Sequence, residues 1–298
     1  MTWVGFWQQF INGISLGSLY ALIAIGYTLV YGILRLINFA HGDFLMVGAY
    51  LGIFGLSIFA LPWPVAFAAA LAITGLLGAM LERGAYRPLR RAPRLSLLIS
   101  AIGASFLLEN LALVLIGGRP LPFPTPAVFT GTFQMGAIFL PRLSLLIPLI
   151  TLVLLAGLFA LVYATRVGIA IRALSHDWEA TQLLGINVNR LISLTFILGS
   201  MLAGVGGLLW AMKYPQVNPF LGVLPGLKAF IAAVLGGIGN LAGAVLGGLI
   251  LGVLEVMLVA WFPAWSGYRD AVAFSLLILV LLVRPTGLLG ESVMEDKL

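Results

Sequence analysis

The sequence predicts an all-α integral membrane protein of eight or nine transmembrane helices, with a short cytoplasmic helix held between two of them. Three observations carry this. Of 298 residues, 61% are hydrophobic and only 9% charged, whereas a soluble domain has about 25% charged residues. Eight apolar runs come close to the roughly 20 residues a helix needs to cross the hydrocarbon. Between two of them lies a polar, basic insert, residues 166–190, which must stand in water.

Taken in order, the runs are Phe10 to Ile33, Asn38 to Ala60, Pro64 to Leu81, Leu95 to Gly117, Leu143 to Thr165, Leu191 to Met212, Ala242 to Phe262 and Tyr268 to Val283. The first 34 residues hold no Lys or Arg. A cleavable signal needs a basic start, so residues 8–31 read as a retained span. The densest basic cluster, Arg83, Arg87, Arg90, Arg91 and Arg94, follows the third run and marks that loop as cytoplasmic. Counting from it puts the N-terminus and the Pro-rich loop Gly118 to Arg142 outside, and the 166–190 insert inside. The last run is short, with 13 uncharged residues between Asp270 and Arg284.

Residues 225–240 are apolar but brief, and end in Gly236-Gly237-Ile238-Gly239. They read either as a ninth span or as a half-helix that turns back inside protein. Crossing puts 11 of the 16 basic residues inside, turning back 10, and that difference does not choose between them. Asn38 to Gly52 and Asn218 to Gly237 echo each other, each a polar lead-in followed by a short helix rich in small residues. On this topology they enter from opposite faces, as an inverted repeat does.

Within the insert, Ser175 or Asp177 can cap a short helix, Asp177 and Glu179 suit its positive end, and Gly185 can end it in the left-handed conformation. Ala180, Leu183 and Leu184 then share one face, since residues three and four apart are neighbours. Such a helix is shaped to press into a groove on a soluble partner. Glycines at four-residue spacing, Gly13/Gly17, Gly48/Gly52, Gly243/Gly247 and Gly248/Gly252, read as close helix packing.

Ionisable groups inside spans are costly, so Asp43, Glu109 and Glu255 should face protein or a watery path. A buried carboxylate held by a cation or backbone donors is the plainer reading of each. His41, with only His176 for company, reads as a packed side chain rather than a zinc ligand. The chain has no cysteine, so thiolate metal sites and disulfides are excluded. Its net charge of +6 reads as topology and lipid-headgroup contact, not nucleic-acid binding. No phosphate loop, G-x-S-x-G elbow or H-E-x-x-H helix occurs. No catalytic or metal residue is therefore assigned.

Three functions compete: the pore subunit of an ATP-driven importer, a secondary transporter using Asp43, Glu109 or Glu255, and a passive channel. A secondary transporter calls for paired ionisable groups near mid-span, and Glu109 alone sits there in sequence. A channel has no use for a capped cytoplasmic helix. The insert favours the importer.

Longer blocks point the same way. NGISLGSLYALIAIGYTLVYGILRLINFAHGDFLMVGAY, LLISAIGASFLLEN, LLGINVNRLISLTFILGS, KAFIAAVLGGIGNLAGAVLGGLILG and LLILVLLVRPTGLLG follow one another in order. Through them the chain resembles the LivH-type permeases of branched-chain amino acid ABC importers, a family that includes urea permeases. The insert is similar to the E-A-A-x-x-x-G loop of importer permeases: Glu179, Ala180 and Gly185 match, Thr181 replaces the second alanine, and the hydrophobic-proline continuation is missing.

The resemblance implies a single permease domain over 1–298, with 166–190 as its coupling loop, in a bacterial inner membrane. It implies a paralogous second permease, two ABC ATPases carrying ATP and Mg²⁺, and an extracytoplasmic solute-binding protein, with no cofactor on this chain. Glu179, Ala180, Thr181 and Gly185 are then the coupling residues, with Arg172 and Asp177 as ionic partners of the ATPase. Asn38, His41, Asp43, Asn110 and Asn218 are the expected path residues, because polar groups that interrupt apolar helices belong beside water.

Overall fold

A computed structural model describes residues 3–90, 92–136 and 138–290. Arg91 and Lys297 of the basic set lie outside the described residues. All eight expected runs are helical: α1 (Trp3–Leu34), α2 (Asp43–Ile53), α3 (Trp63–Leu81), α4 (Arg94–Ile116), α5 (Arg142–Ala164), α8 (Val188–Lys213), α10 (Leu241–Trp261) and α11 (Arg269–Val283). The insert forms α6 (Arg166–His176) and α7 (Trp178–Leu183), and α9 (Val223–Gly236) follows α8. A 3-10 turn over Phe39–His41 and a π-turn over Phe54–Ile58 lengthen α2, and a 3-10 segment over Pro263–Tyr268 lengthens the short last span. Among the described residues, eight helical stretches of 20 to 32 residues are long and apolar enough to span.

α1 is the central post, and its contacts explain the glycines. It runs antiparallel to α10, where a β-carbon at Gly13 would lie 2.8 Å from Val253 Cα and one at Gly17 2.7 Å from Leu249 Cα. α2 meets α8 in the same way, with a β-carbon at Gly48 falling 2.7 Å from Gly204 Cα. Backbones this close gain dispersion contacts that bulkier residues would prevent, in a solvent that gives helices no hydrophobic reason to associate. The peripheral helices α4, α5 and α11 carry exposed apolar residues such as Leu107, Leu152 and Leu282, as a lipid-facing shell must.

The loop before α5 forms a hairpin of β1's neighbours in sequence: β2 (Thr132–Met135) pairs antiparallel with β3 (Ile138–Pro141), while β1 (Leu121–Pro122) pairs with β4 (Gln216–Val217) just after α8. Gln8 near the start of α1 donates to the Phe139 carbonyl, so this loop and the N-terminus share one end of the molecule. α6 packs near the C-terminal end of α1, where Ile171 and Leu174 join Val30 and Ile33 in a second core.

These two ends decide how residues 225–240 run. Val217 pairs with Leu121 at the loop end. At the opposite end, where α10 begins, Leu288 and Leu289 donate backbone hydrogen bonds to the carbonyls of Leu235 and Gly236. The segment therefore crosses, as an irregular lead-in followed by a helix. The 14 residues of α9 reach only about 21 Å, so the helix alone falls short of the roughly 30 Å hydrocarbon. α2 and α9 run in opposite senses and their starts meet head to head: a β-carbon at Gly42 would lie 2.7 Å from the Gly222 carbonyl oxygen and 3.1 Å from Gly226 Cα. The sequence echo is a spatial pair.

Candidate functional site

At the α6 end, Thr165 caps α6 by accepting from the Gly168 N–H, and Asp177, not Ser175, caps α7 by accepting from the Ala180 N–H at 2.9 Å. Ser175 instead donates to the Arg172 carbonyl at 2.7 Å. Thr181 is 1% exposed and its hydroxyl donates to the Asp177 carbonyl at 2.6 Å, so the residue that replaces alanine ties the first turn together. Gly185 has φ +76°, the left-handed geometry expected of it. Glu179 and Ala180 are exposed, and Leu183 and Leu184 stand 88% and 76% exposed beside them. Large apolar side chains held this far into water on a capped helix form a patch that calls for a cover.

Arg172 is half-buried, with its guanidinium 5.2 Å over the Tyr163 ring. Arg90 lies 5.8 Å over the ring of Trp178, the first residue of α7. Arg90 also donates to Asn189 at 2.6 Å and to Glu82. Glu82 is fully buried and is further held by Arg87 at 2.9 Å and Ser193 at 2.7 Å. This network binds the loop after α3 to α7 and to the start of α8. Arg87 and Arg90, topology signals in the sequence, also build this joint.

The path residues divide into those brought together and those kept apart. Asp43, 2% exposed, borders a cleft of about 220 Å³ where the starts of α2 and α9 meet, with Tyr27, Ser105 and Glu109 also on its wall. His41 is 1% exposed, its Nε2 lies 3.2 Å from the Ile23 carbonyl, and its ring packs on Tyr27. Asn38, also 1% exposed, accepts from the Tyr86 hydroxyl at 2.6 Å while its amide nitrogen has no partner among the described residues. Asn218 accepts from the Phe220 N–H in the lead-in to α9. Asn110 is turned away from the cleft: it is exposed on the outer face of α4 and donates to the Phe106 carbonyl.

The expectation that Glu109 lacks an ionisable companion fails, because Asp43 shares its cleft. Glu255 takes the plainer role. It accepts from Lys228 at 2.6 Å and Tyr20 at 2.8 Å, and Lys228 also meets Asp270 at 2.7 Å. Sequence reasoning passed over Lys228, Glu82, Ser105 and Tyr27. Lys228, an isolated cation in an apolar stretch, was the one signal that could have been followed.

Paired charges in the spans would suit a secondary transporter as well, so the relatives decide. Residues 9–281 match the family described as branched-chain amino acid transport system / permease component. The chain is 46% identical to the high-affinity branched-chain amino acid transport system permease protein BraD of Pseudomonas aeruginosa, over 97% of both chains. It is 42% identical to LivH of Escherichia coli K12, again over 97% of both. At greater distance it is 31% identical to the ribose import permease protein RbsC of that organism, over 80% of this chain and 74% of the other. Relatives at full length are transport permeases rather than enzymes, and the chain belongs to the family of branched-chain amino acid transport system permease components.

Proposed function

We propose that this multi-pass inner-membrane permease carries branched-chain amino acids inward as one half of the pore of an ABC importer. The observation that carries the solute class is identity of 42–46% along the whole chain with relatives named for that transport. The ATP and Mg²⁺ belong to two ATPase subunits, which dock on the exposed Ala180, Leu183 and Leu184 face of α7, with Glu179 at its rim. An extracytoplasmic binding protein delivers the solute at the β2–β3 end. A second, paralogous permease covers the outer face of α4, where exposed Asn110 interrupts an otherwise apolar surface that includes Leu107, Leu111 and Val114. A primary amide is a poor neighbour for lipid and a ready hydrogen-bonding group between helices.

Transport then works by alternating access. ATP binding draws the ATPases together and pulls α7, which the caps and Thr181 keep rigid. Arg90 passes that displacement to the loop after α3 and to α8. Reversing a population from 1:99 to 99:1 takes about 5.5 kcal/mol of differential binding, which nucleotide can supply. The test is uptake into proteoliposomes holding the assembled transporter. ATP-dependent uptake of leucine, isoleucine and valine, unaffected by excess urea, supports the reading. Uptake of urea alone overturns it.

A further inference from the structure

We infer that the cleft between the starts of α2 and α9 is a station for the solute's α-ammonium group, held by the carboxylates of Asp43 and Glu109. This deepens the amino-acid reading and rests on it. The cleft lies where the starts of two oppositely running helices meet, as in transporters with inverted repeats. Helix starts face anionic groups, so holding a cation there falls to the side chains of Asp43 and Glu109 and not to the helix ends. Asp43 is 2% and Glu109 7% exposed, and among the described residues neither forms an ion pair. The Asp43 carboxyl accepts a hydrogen bond from the Ser105 hydroxyl, while its Oδ2 has no hydrogen-bond partner among the described residues.

An acid without a cation at this depth contrasts with the other buried carboxylates, Glu82 and Glu255, each of which is held by cations of the chain. The unmet group is an acceptor, so the missing partner is a donor, and two carboxylates favour a cationic one. A metal fits poorly: no group of three or more His, Cys, Asp or Glu side chains gathers among the described residues, and calcium asks for about six oxygens. The cleft, at about 220 Å³, has room for about seven waters at ~30 Å³ each, which exceeds a bare ion. Apolar Phe39, Ile102, Phe106, Val223 and Leu227 also line it, an environment for an aliphatic side chain. A primary ammonium carried on an aliphatic body satisfies both halves.

Asp43→Asn and Glu109→Gln variants, each in the full transporter with its ATPases and binding protein, test this in proteoliposomes. Leucine uptake and ATP hydrolysis are measured together. Removing either charge should lower uptake roughly thirtyfold, while hydrolysis stimulated by loaded binding protein persists, so ATP spent per leucine rises. Glu109→Asp, which keeps the charge, should recover part of the uptake. Normal uptake by Glu109→Gln overturns the station, and so does an equal loss of uptake and hydrolysis in an assembled variant, since that marks a structural role. If Asp43→Asn does not assemble, Glu109→Gln decides alone. An unsubstituted complex that moves urea and not leucine overturns the amino-acid reading and the station with it.

Discussion

Arg90 sits over Trp178, its guanidinium 5.8 Å from the ring, while it also bonds Asn189 and Glu82. One side chain thus joins α7 to the start of α8, which follows it in the chain, and to the segment after α3, which lies far from it in sequence. Stacked, partly desolvated cations of this kind contribute about 0.5–2 kcal/mol. Arg90→Ala should leave insertion and ATPase binding intact but lower uptake at unchanged ATP hydrolysis. Arg90→Lys should rescue little, because a point charge does not reproduce a planar fork that stacks and bridges. Uptake assays paired with a phosphate-release assay check both.

Gly185 has open space around it, so its constraint is the φ of +76° rather than packing. A leucine there would bear about 1–2 kcal/mol of left-handed strain, relieved by distorting the end of α7. Gly185→Leu should therefore reach the membrane at normal levels and transport less. Normal uptake at normal expression would remove α7 from the coupling path.

Lys228 ties α9 to α10 and α11 through Glu255 and Asp270. Lys228→Met leaves Glu255 buried with Tyr20 as its remaining partner, and loss of one member of a buried pair costs about 3–5 kcal/mol. The variant should melt well below the parent in detergent. The double variant Lys228→Met with Glu255→Gln should recover part of that loss, because no bare charge then remains inside.

Asp177→Ala removes the cap that accepts from Ala180, at a cost of about 1 kcal/mol. Its effect should resemble a mild Gly185→Leu, with lower affinity for the ATPases measured by titration in nanodiscs, and a full loss of folding would contradict a role confined to α7.

The spans were legible because about 20 apolar residues in a row have one use. The end of α7 was legible because a glycine after a capped turn has few others. The course of α9 was not, since 14 residues are too few to declare a crossing, and only the pairing of Val217 with Leu121 at one end and Leu289 with Gly236 at the other reveals it. On α4 the sequence marks both Glu109 and Asn110 as polar interruptions, yet neighbouring positions on a helix point about 100° apart, and it is Glu109 that borders the cleft. Asp43 and Glu109 are far apart in the chain, and only packing joins them. Lys228 and Glu255 likewise meet across a turn that no local pattern describes.

On the proposed function, energy enters the transporter at α7. The direct measurement is copurification of the tagged chain from its native host in mild detergent, beside a Leu183→Glu variant that places a charge on the exposed face of α7. The unsubstituted chain should bring down a second permease and two ATPases, and the variant should keep the permease while losing the ATPases. A chain that recovers no ATPase, or a variant that retains both at full yield, would exclude α7 as the docking site.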